Sequence, residues 1–182
     1  SPVEHRIAIR PSAPFATKPV AETDAVELSY VALAQAAPVP EQAGIYLPYR
    51  PSRIAFADAP MHPTPLVESV AMGSVAAPVP EVSPLLPSNW KVDKLISAAQ
   101  CETLIYACKA FDRDLPEQFL PSQEGTMLEL AEDGHSYRQG FFLGDGTGAG
   151  KGRQIAAVMM DRWLAGERRH IWITKNEALL ED

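Results

Sequence analysis

The sequence predicts an α/β fold, in which a βαβ unit with two parallel strands is preceded by a proline-rich extended arm. In the second half of the chain, an apolar segment leads into a glycine-rich run, a helical pattern follows, and a second apolar segment comes after it. In the first half, 15 of the 17 prolines lie between Pro2 and Pro87. Proline fixes φ and lacks a backbone donor, so long helices and sheets are not expected there.

The proline-rich half divides into two parts. Residues 1–40 combine prolines with alanines and valines, and this composition predicts a disordered or linker segment. Residues 41–90 carry more apolar groups, so we expect them to dock on the following domain as extended strands or a short helix. An arm that recruits a proline-reading partner through residues 62–65 is the alternative. Residues 91–182 then form the domain that carries the glycine-rich run.

A helix is predicted shortly before that run. Its apolar face consists of residues at helical spacing, namely Cys101, Leu104, Ile105, Cys108 and Phe111. Ser97 and Gln100 fit a capping box, in which the glutamine closes the first turn. Gln100 has a second interpretation, because a carboxamide carries a donor and an acceptor that can pair with the edge of adenine. The two roles are compatible.

The run from Gly140 to Gly152 holds six of the chain's eleven glycines. Phe141, Phe142 and Leu143 predict a short buried strand, and a helix is expected to begin at Lys151. Inward-facing backbone N–H groups, a helix N-terminus and a lysine favour the β- and γ-phosphates of a nucleotide. We assign the terminal phosphates to Lys151. Arg153 either reaches a phosphate or caps the helix. The other predicted loop residues are Asp145, Gly146, Thr147, Gly148, Ala149, Gly150 and Gly152.

This loop departs from the general phosphate-loop signature. A hydroxyl residue that binds magnesium normally follows the lysine, but Gly152 stands there, so water or another group must hold the metal. Residues 143–148 also look like the glycine loop that approaches S-adenosylmethionine, which makes a methyltransferase an alternative. That class calls for an acidic residue two positions before the first glycine, where this chain has Phe142.

The helix after the loop has a predicted buried face at helical spacing, which consists of Ile155, Val158, Met159 and Trp163. Gly166 is placed to end it in a left-handed conformation. Ile171 and Ile173 alternate in the second strand. A right-handed crossover makes the two strands parallel, with the loop at their carboxyl ends. Thr174 and Glu177 fit a capping box of a further helix.

Taken together, residues 45–182 resemble the strawberry notch-type helicases and their bacterial relatives. The resemblance rests on residues 144–153 and 171–175, with the Gln100 helix and residues 49–51 and 62–69 upstream. Glycine after the lysine is typical of that family's loop. The resemblance implies an incomplete RecA-like P-loop domain of a superfamily two helicase, with ATP and Mg²⁺ as cofactors and nucleic acid, DNA more than RNA, as partner. It also makes Lys175, just past the second strand, the candidate nucleic-acid contact.

Composition limits the remaining options. The net charge is −7, so any nucleic-acid surface must be local, and residues 140–175 hold six basic and three acidic residues. Cys101 and Cys108 lie about 10 Å apart along one helix, too far for a disulfide, which favours a reducing compartment. The resemblance to bacterial relatives implies that this compartment is a bacterial cytoplasm. No metal ligands and no membrane-spanning run are evident. Hydrolysis also needs an acidic Walker B strand and a second motor lobe. We recognise neither in this sequence, so we expect an ATP-binding fragment that is inactive by itself.

Overall fold

The computed structural model describes residues 24–34 and 44–174. In these residues the strands are β1 (Ala25–Glu27), β2 (Val31–Ala32), β3 (Tyr46–Pro48), β4 (Ile54–Ala55), β5 (Val67–Ser69), β6 (Leu85–Pro87), β7 (Asp114–Pro121), β8 (Leu128–Leu130) and β9 (His135–Arg138). The helices are α1 (Val70–Gly73), α2 (Ser88–Val92), α3 (Ala98–Phe111) and α4 (Lys151–Leu164). The chain is therefore α/β, as predicted. Glu177 and Lys175 lie outside the described residues.

All strand pairs in the described residues are antiparallel, and the sheets are small. Three are two-stranded, β1 with β6, β2 with β4 and β3 with β5, and one is three-stranded in the order β8-β7-β9. Residues 24–34 belong to the segment predicted as a linker, yet they form β1 and β2, and Leu28 packs against the core. The expected boundary at residue 40 lies outside the described residues and stays a prediction.

The core lies where α3 meets α4 and β6. Its buried members are Leu86, Ile96, Cys101, Leu104, Cys108 and Ala157. Leu104 and Cys108 are 0% exposed, so the predicted apolar face of α3 is the buried one. Removing a leucine side chain of this size from water contributes about 2 kcal/mol. Burial also raises the pKa of the Cys101 thiol to about 12, which keeps it neutral.

A buried carboxylate ties the core elements together. Asp161 of α4 is 2% exposed, and its Oδ1 accepts a hydrogen bond of 2.6 Å from the backbone N–H of Leu85. Its Oδ2 accepts from Cys108 Sγ of α3 at 3.2 Å and from Arg162 Nε at 2.6 Å. Arg162 also pairs with Asp112 at 2.8 Å, beyond the end of α3. Two helices and a strand thus share one polar network inside the apolar core.

The helix after the loop begins at Lys151 as predicted, and it ends in a Schellman motif. Gly166 has φ of +103°, the Gly166 N–H donates to Trp163 O at 3.0 Å, and the Glu167 N–H donates to Arg162 O at 2.9 Å. The predicted buried face was wrong in part: Val158 packs against the core and Met159 is half-buried, but the other two members are exposed. Ile155 is 41% exposed and Trp163 37% exposed, and the buried residues of α4 are Gln154, Ala157 and Asp161.

The two parallel strands predicted around α4 do not form in the described residues. Residues 141–143 and 171–173 belong to no sheet, and Phe142, Ile171 and Ile173 are 90%, 89% and 89% exposed. A parallel strand needs backbone partners that come from distant parts of a chain, and neither segment has such a partner here. The helix and the loop of the predicted βαβ unit are present in the described residues, but its two strands are not. Within the described residues, no helix has the length and apolar character needed to cross a bilayer.

Candidate functional site

The glycine-rich loop turns between residues 145 and 150 through two left-handed glycines. Gly148 has φ of +89° and Gly150 has φ of +75°, a region that side chains make costly. Gly150 is also the N-cap of α4, and a Cβ there would lie 2.4 Å from Gln100 Nε2. A Cβ on Gly146, Gly148 or Gly152 would meet no atom within 4 Å. The outer side of the loop is therefore open, while Gly150 is packed against α3.

The lysine lies folded over this loop. Lys151 Nζ donates to the carbonyl oxygens of Asp145 at 2.7 Å and Gly146 at 3.0 Å. Its ammonium group therefore sits at the N-terminus of α4, beside the open glycines.

Gln100 connects the start of α3 to the loop. Its Oε1 accepts from the Ser97 N–H at 2.9 Å, and Ser97 Oγ accepts from the Gln100 N–H at 3.4 Å, which confirms the predicted capping box. Its Nε2 donates to the carbonyl oxygen of Ala149 at 3.2 Å. The side chain is 3% exposed, so both ends of this buried carboxamide bond within the chain.

Sequence reasoning missed a second glutamine. Gln154 is 2% exposed, and its Nε2 donates to Asp145 Oδ2 at 2.9 Å and to the Ala149 carbonyl at 3.2 Å. The signal was its position one turn after Lys151, in register with Ala157 and Asp161. That face was passed over because two of its three members are polar, and hydrophobic periodicity selects the neighbouring face.

The remaining predicted residues surround the loop. Thr147 and Arg153 are exposed, and Arg153 donates from Nη1 to the Leu95 carbonyl at 3.1 Å, which fastens α4 to the segment before α3. An open cavity of about 730 Å³ adjoins the loop on this side. Its lining includes His62, Thr64, Gln100, Gly148, Gly150, Arg153 and Trp172.

An acidic cavity of about 350 Å³ lies on the other side of the loop, lined in part by Glu68, Glu102 and Asp145. Tyr49 Oη donates to Glu102 Oε2, which links the segment after β3 to α3. Glu102 is 5% exposed, and burial raises the pKa of its carboxyl group, with Glu68 and Asp145 adding to the effect. Burial and Glu102 also raise the pKa of Tyr49. No cluster of three or more His, Cys, Asp or Glu in residues 24–34 and 44–174 could hold a metal ion.

The sequence of this chain is similar to those of one protein family. The sequence profile of the family described as P-loop containing NTP hydrolase pore-1 matches residues 61–182. Protein FORGETTER 1 of Arabidopsis thaliana is 33% identical over 137 residues, which is 75% of this chain and 9% of that protein.

Two further relatives are strawberry notch proteins. The strawberry notch homolog of Caenorhabditis elegans is 31% identical over 137 residues, 75% of this chain and 6% of that protein. Human strawberry notch homolog 2 is 31% identical over the same share of this chain, which is 8% of that protein. The chain thus spans less than a tenth of the length of each of these relatives. No solved structure matches it.

Proposed function

Because this chain belongs to the P-loop containing NTP hydrolase family and is of the strawberry notch type, we propose that it is the ATP-binding portion of a helicase-like, nucleic-acid-dependent ATPase. The observation that carries the proposal is the position of the Lys151 ammonium group, 2.7 Å from one loop carbonyl and 3.0 Å from another. A cation held at an open glycine-rich turn and a helix N-terminus is built to receive an anion.

Phosphate fits this loop on steric grounds. The glycines Gly146, Gly148 and Gly152 leave free the space that side chains would occupy, so a phosphate group can approach the backbone there. Lys151 would exchange two carbonyl partners for oxygens of the terminal phosphates, which are charged and bind an ammonium group more strongly. The backbone N–H groups at the start of α4 would add partial positive charge.

The nucleoside would occupy the cavity of about 730 Å³ beside the loop. Gln100 borders it and is our candidate for reading the adenine edge. That role has a condition, because Oε1 is already held by Ser97 and Nε2 by Ala149. Base recognition would therefore require Gln100 to release one of these partners or to share it with the ligand.

Nucleotide binding and nucleotide hydrolysis have different requirements in this proposal. Hydrolysis calls for magnesium, an oriented water and charge stabilisation of the transferred phosphoryl group. Gly152 offers no hydroxyl, so Mg²⁺ would arrive with ATP and be held by water or by a group other than the residue after the lysine. RecA-like lobes and contact with DNA, for example through Lys175, belong to the complete motor. The free, buried thiols of Cys101 and Cys108 suit a reducing compartment such as the cytoplasm.

Calorimetric titration of the 182-residue chain with ATP, ADP and S-adenosylmethionine tests the proposal. We expect ATP and ADP to bind more tightly than S-adenosylmethionine. Lys151→Ala should remove a charge-assisted contact of about 1.5 to 3 kcal/mol, which is roughly a 10- to 150-fold weaker Kd. The matched control is Lys91→Ala, because Lys91 is an exposed lysine that pairs with Asp58. Equal binding by the Lys151 and Lys91 variants would refute the phosphate site, and preference for S-adenosylmethionine would favour a methyltransferase.

A further inference from the structure

Two buried carboxamides converge on one carbonyl group of the loop. Gln100 of α3 and Gln154 of α4 each place Nε2 at 3.2 Å from the Ala149 oxygen. Ala149 is itself 8% exposed and immediately precedes the left-handed Gly150. The peptide group that leads into α4 is therefore held from both helices.

Gln154 also reaches the opposite end of the loop. Its Nε2 lies 2.9 Å from Asp145 Oδ2, so one NH₂ group spans the loop from Asp145 to Ala149. The orientation of the carboxamide is fixed, because the opposite flip would turn Oε1 toward a carboxylate and a carbonyl. In this orientation Gln154 Oε1 is buried, and no group among the described residues donates to it.

An unsatisfied buried acceptor is a poor choice for a residue that serves stability alone. A methionine of similar length would fill the same space without burying an unpaired oxygen. What Gln154 supplies and methionine cannot is the double donor that sets the distance between Asp145 and Ala149. The geometry points to a role in shaping the loop.

We propose that Gln154 is a positioning residue of the nucleotide site, which holds the two ends of the phosphate loop together so that the Lys151 ammonium group and the loop amides face the ligand. Gln100 is its partner on Ala149. The proposal rests on the proposed function, since the ligand it prepares the loop for is a nucleotide phosphate chain. Gln154 itself does not contact that ligand.

Gln154→Met is the first test, in the full 182-residue chain. We expect the Kd for ATP and for ADP to rise about tenfold, because a loop that Gln154 no longer holds must be ordered when the nucleotide binds. Thermal stability should stay the same or increase, and the amides of residues 146–150 should exchange faster by NMR without any nucleotide. The matched control is Gln118→Met, an exposed glutamine of β7, which should change none of these quantities.

A donor–acceptor exchange provides the second test. Gln154→Glu sets two carboxylates against each other and should weaken ATP binding more than Gln154→Met. Asp145→Asn in the Gln154→Glu background returns one donor to the pair and should recover part of the affinity.

Unchanged ATP affinity in Gln154→Met, or an affinity loss that merely follows a loss of thermal stability, would overturn the positioning role. If the unaltered chain bound no nucleotide, the proposed function would fall, while amide exchange in the loop would still decide whether Gln154 orders it.

Discussion

Gly150 is the glycine of the loop for which the structure gives the largest expected cost of substitution. Gly150→Ala must place a Cβ at φ of +75°, 2.4 Å from Gln100 Nε2. The left-handed conformation costs about 1 to 2 kcal/mol for a residue with a side chain. Displacing Gln100 loses its bond to Ala149, about 1 kcal/mol. It also disturbs the capping box of α3, about another 1 kcal/mol. We expect a loss of roughly 3 to 4 kcal/mol in the free energy of unfolding.

Two neighbouring glycines serve as controls, because each isolates one part of this cost. Gly148→Ala meets the same left-handed strain at φ of +89° but no atom within 4 Å, so about 1 to 2 kcal/mol is expected. Gly152 lies within α4 and also faces open space. Gly152→Ala should therefore stabilise the chain by about 0.5 to 1 kcal/mol through lower entropy of the unfolded state.

Urea unfolding followed by circular dichroism measures all three changes. The midpoint concentrations should fall in the order Gly152→Ala, unaltered chain, Gly148→Ala, Gly150→Ala, with the same dependence on urea throughout. The packing of Gly150 against Gln100 would be refuted if Gly150→Ala cost no more than Gly148→Ala. A destabilising Gly152→Ala would contradict the open space beside that residue.

Three further predictions concern buried polar groups. Burial raises the pKa of Glu102 above the usual value of 4.5, so the native state binds this proton more tightly than the unfolded state does. The free energy of unfolding therefore falls as the pH rises from 4.5 through the raised pKa. Glu102→Gln should therefore stabilise the chain at pH 7, and a gain that persisted at pH 3 would contradict this cause. Gln100→Ala should reduce the preference for ATP over GTP in the complete protein. An unchanged preference would mean that Gln100 acts only through its contacts with Ser97 and Ala149. Asp161→Asn should cost about 2 to 4 kcal/mol in thermal or urea unfolding, because it removes the buried charge beside Arg162 and sets an NH₂ group against the donors that now bond to Asp161. A change under 1 kcal/mol would mean that the network is not stabilising.

Short-range signals in the sequence predicted the helices around the site. The apolar face of α3, its capping box, the start of α4 and the left-handed Gly166 all depend on residues within a turn or two of each other. Such features follow from local geometry, and the structure confirms each of them. The candidate loop residues were likewise found from one contiguous run, and their roles in binding stay a prediction.

Long-range contacts account for what the sequence did not predict. Gln154 and Asp161 are buried because their partners lie in the loop, in α3 and beside β6, which no helical periodicity reports. The same reason explains the strand between Ala25 and Glu27, whose partner lies 60 residues further on at Leu85–Pro87. Residues 141–143 and 171–173 have the apolar character of strands, but that pattern alone cannot provide backbone partners.

In the described residues, side chains and not a sheet hold the glycine-rich loop. In many α/β sites a strand fixes one end of the phosphate loop and the helix fixes the other. Here the end near Asp145 is fixed by side chains, since Lys151 bonds its carbonyl and Gln154 bonds its carboxylate. The other end is fixed by Gln154 and Gln100 at Ala149. All four contacts originate from α3 or α4, so the loop holds this shape while residues 141–143 pair with no strand.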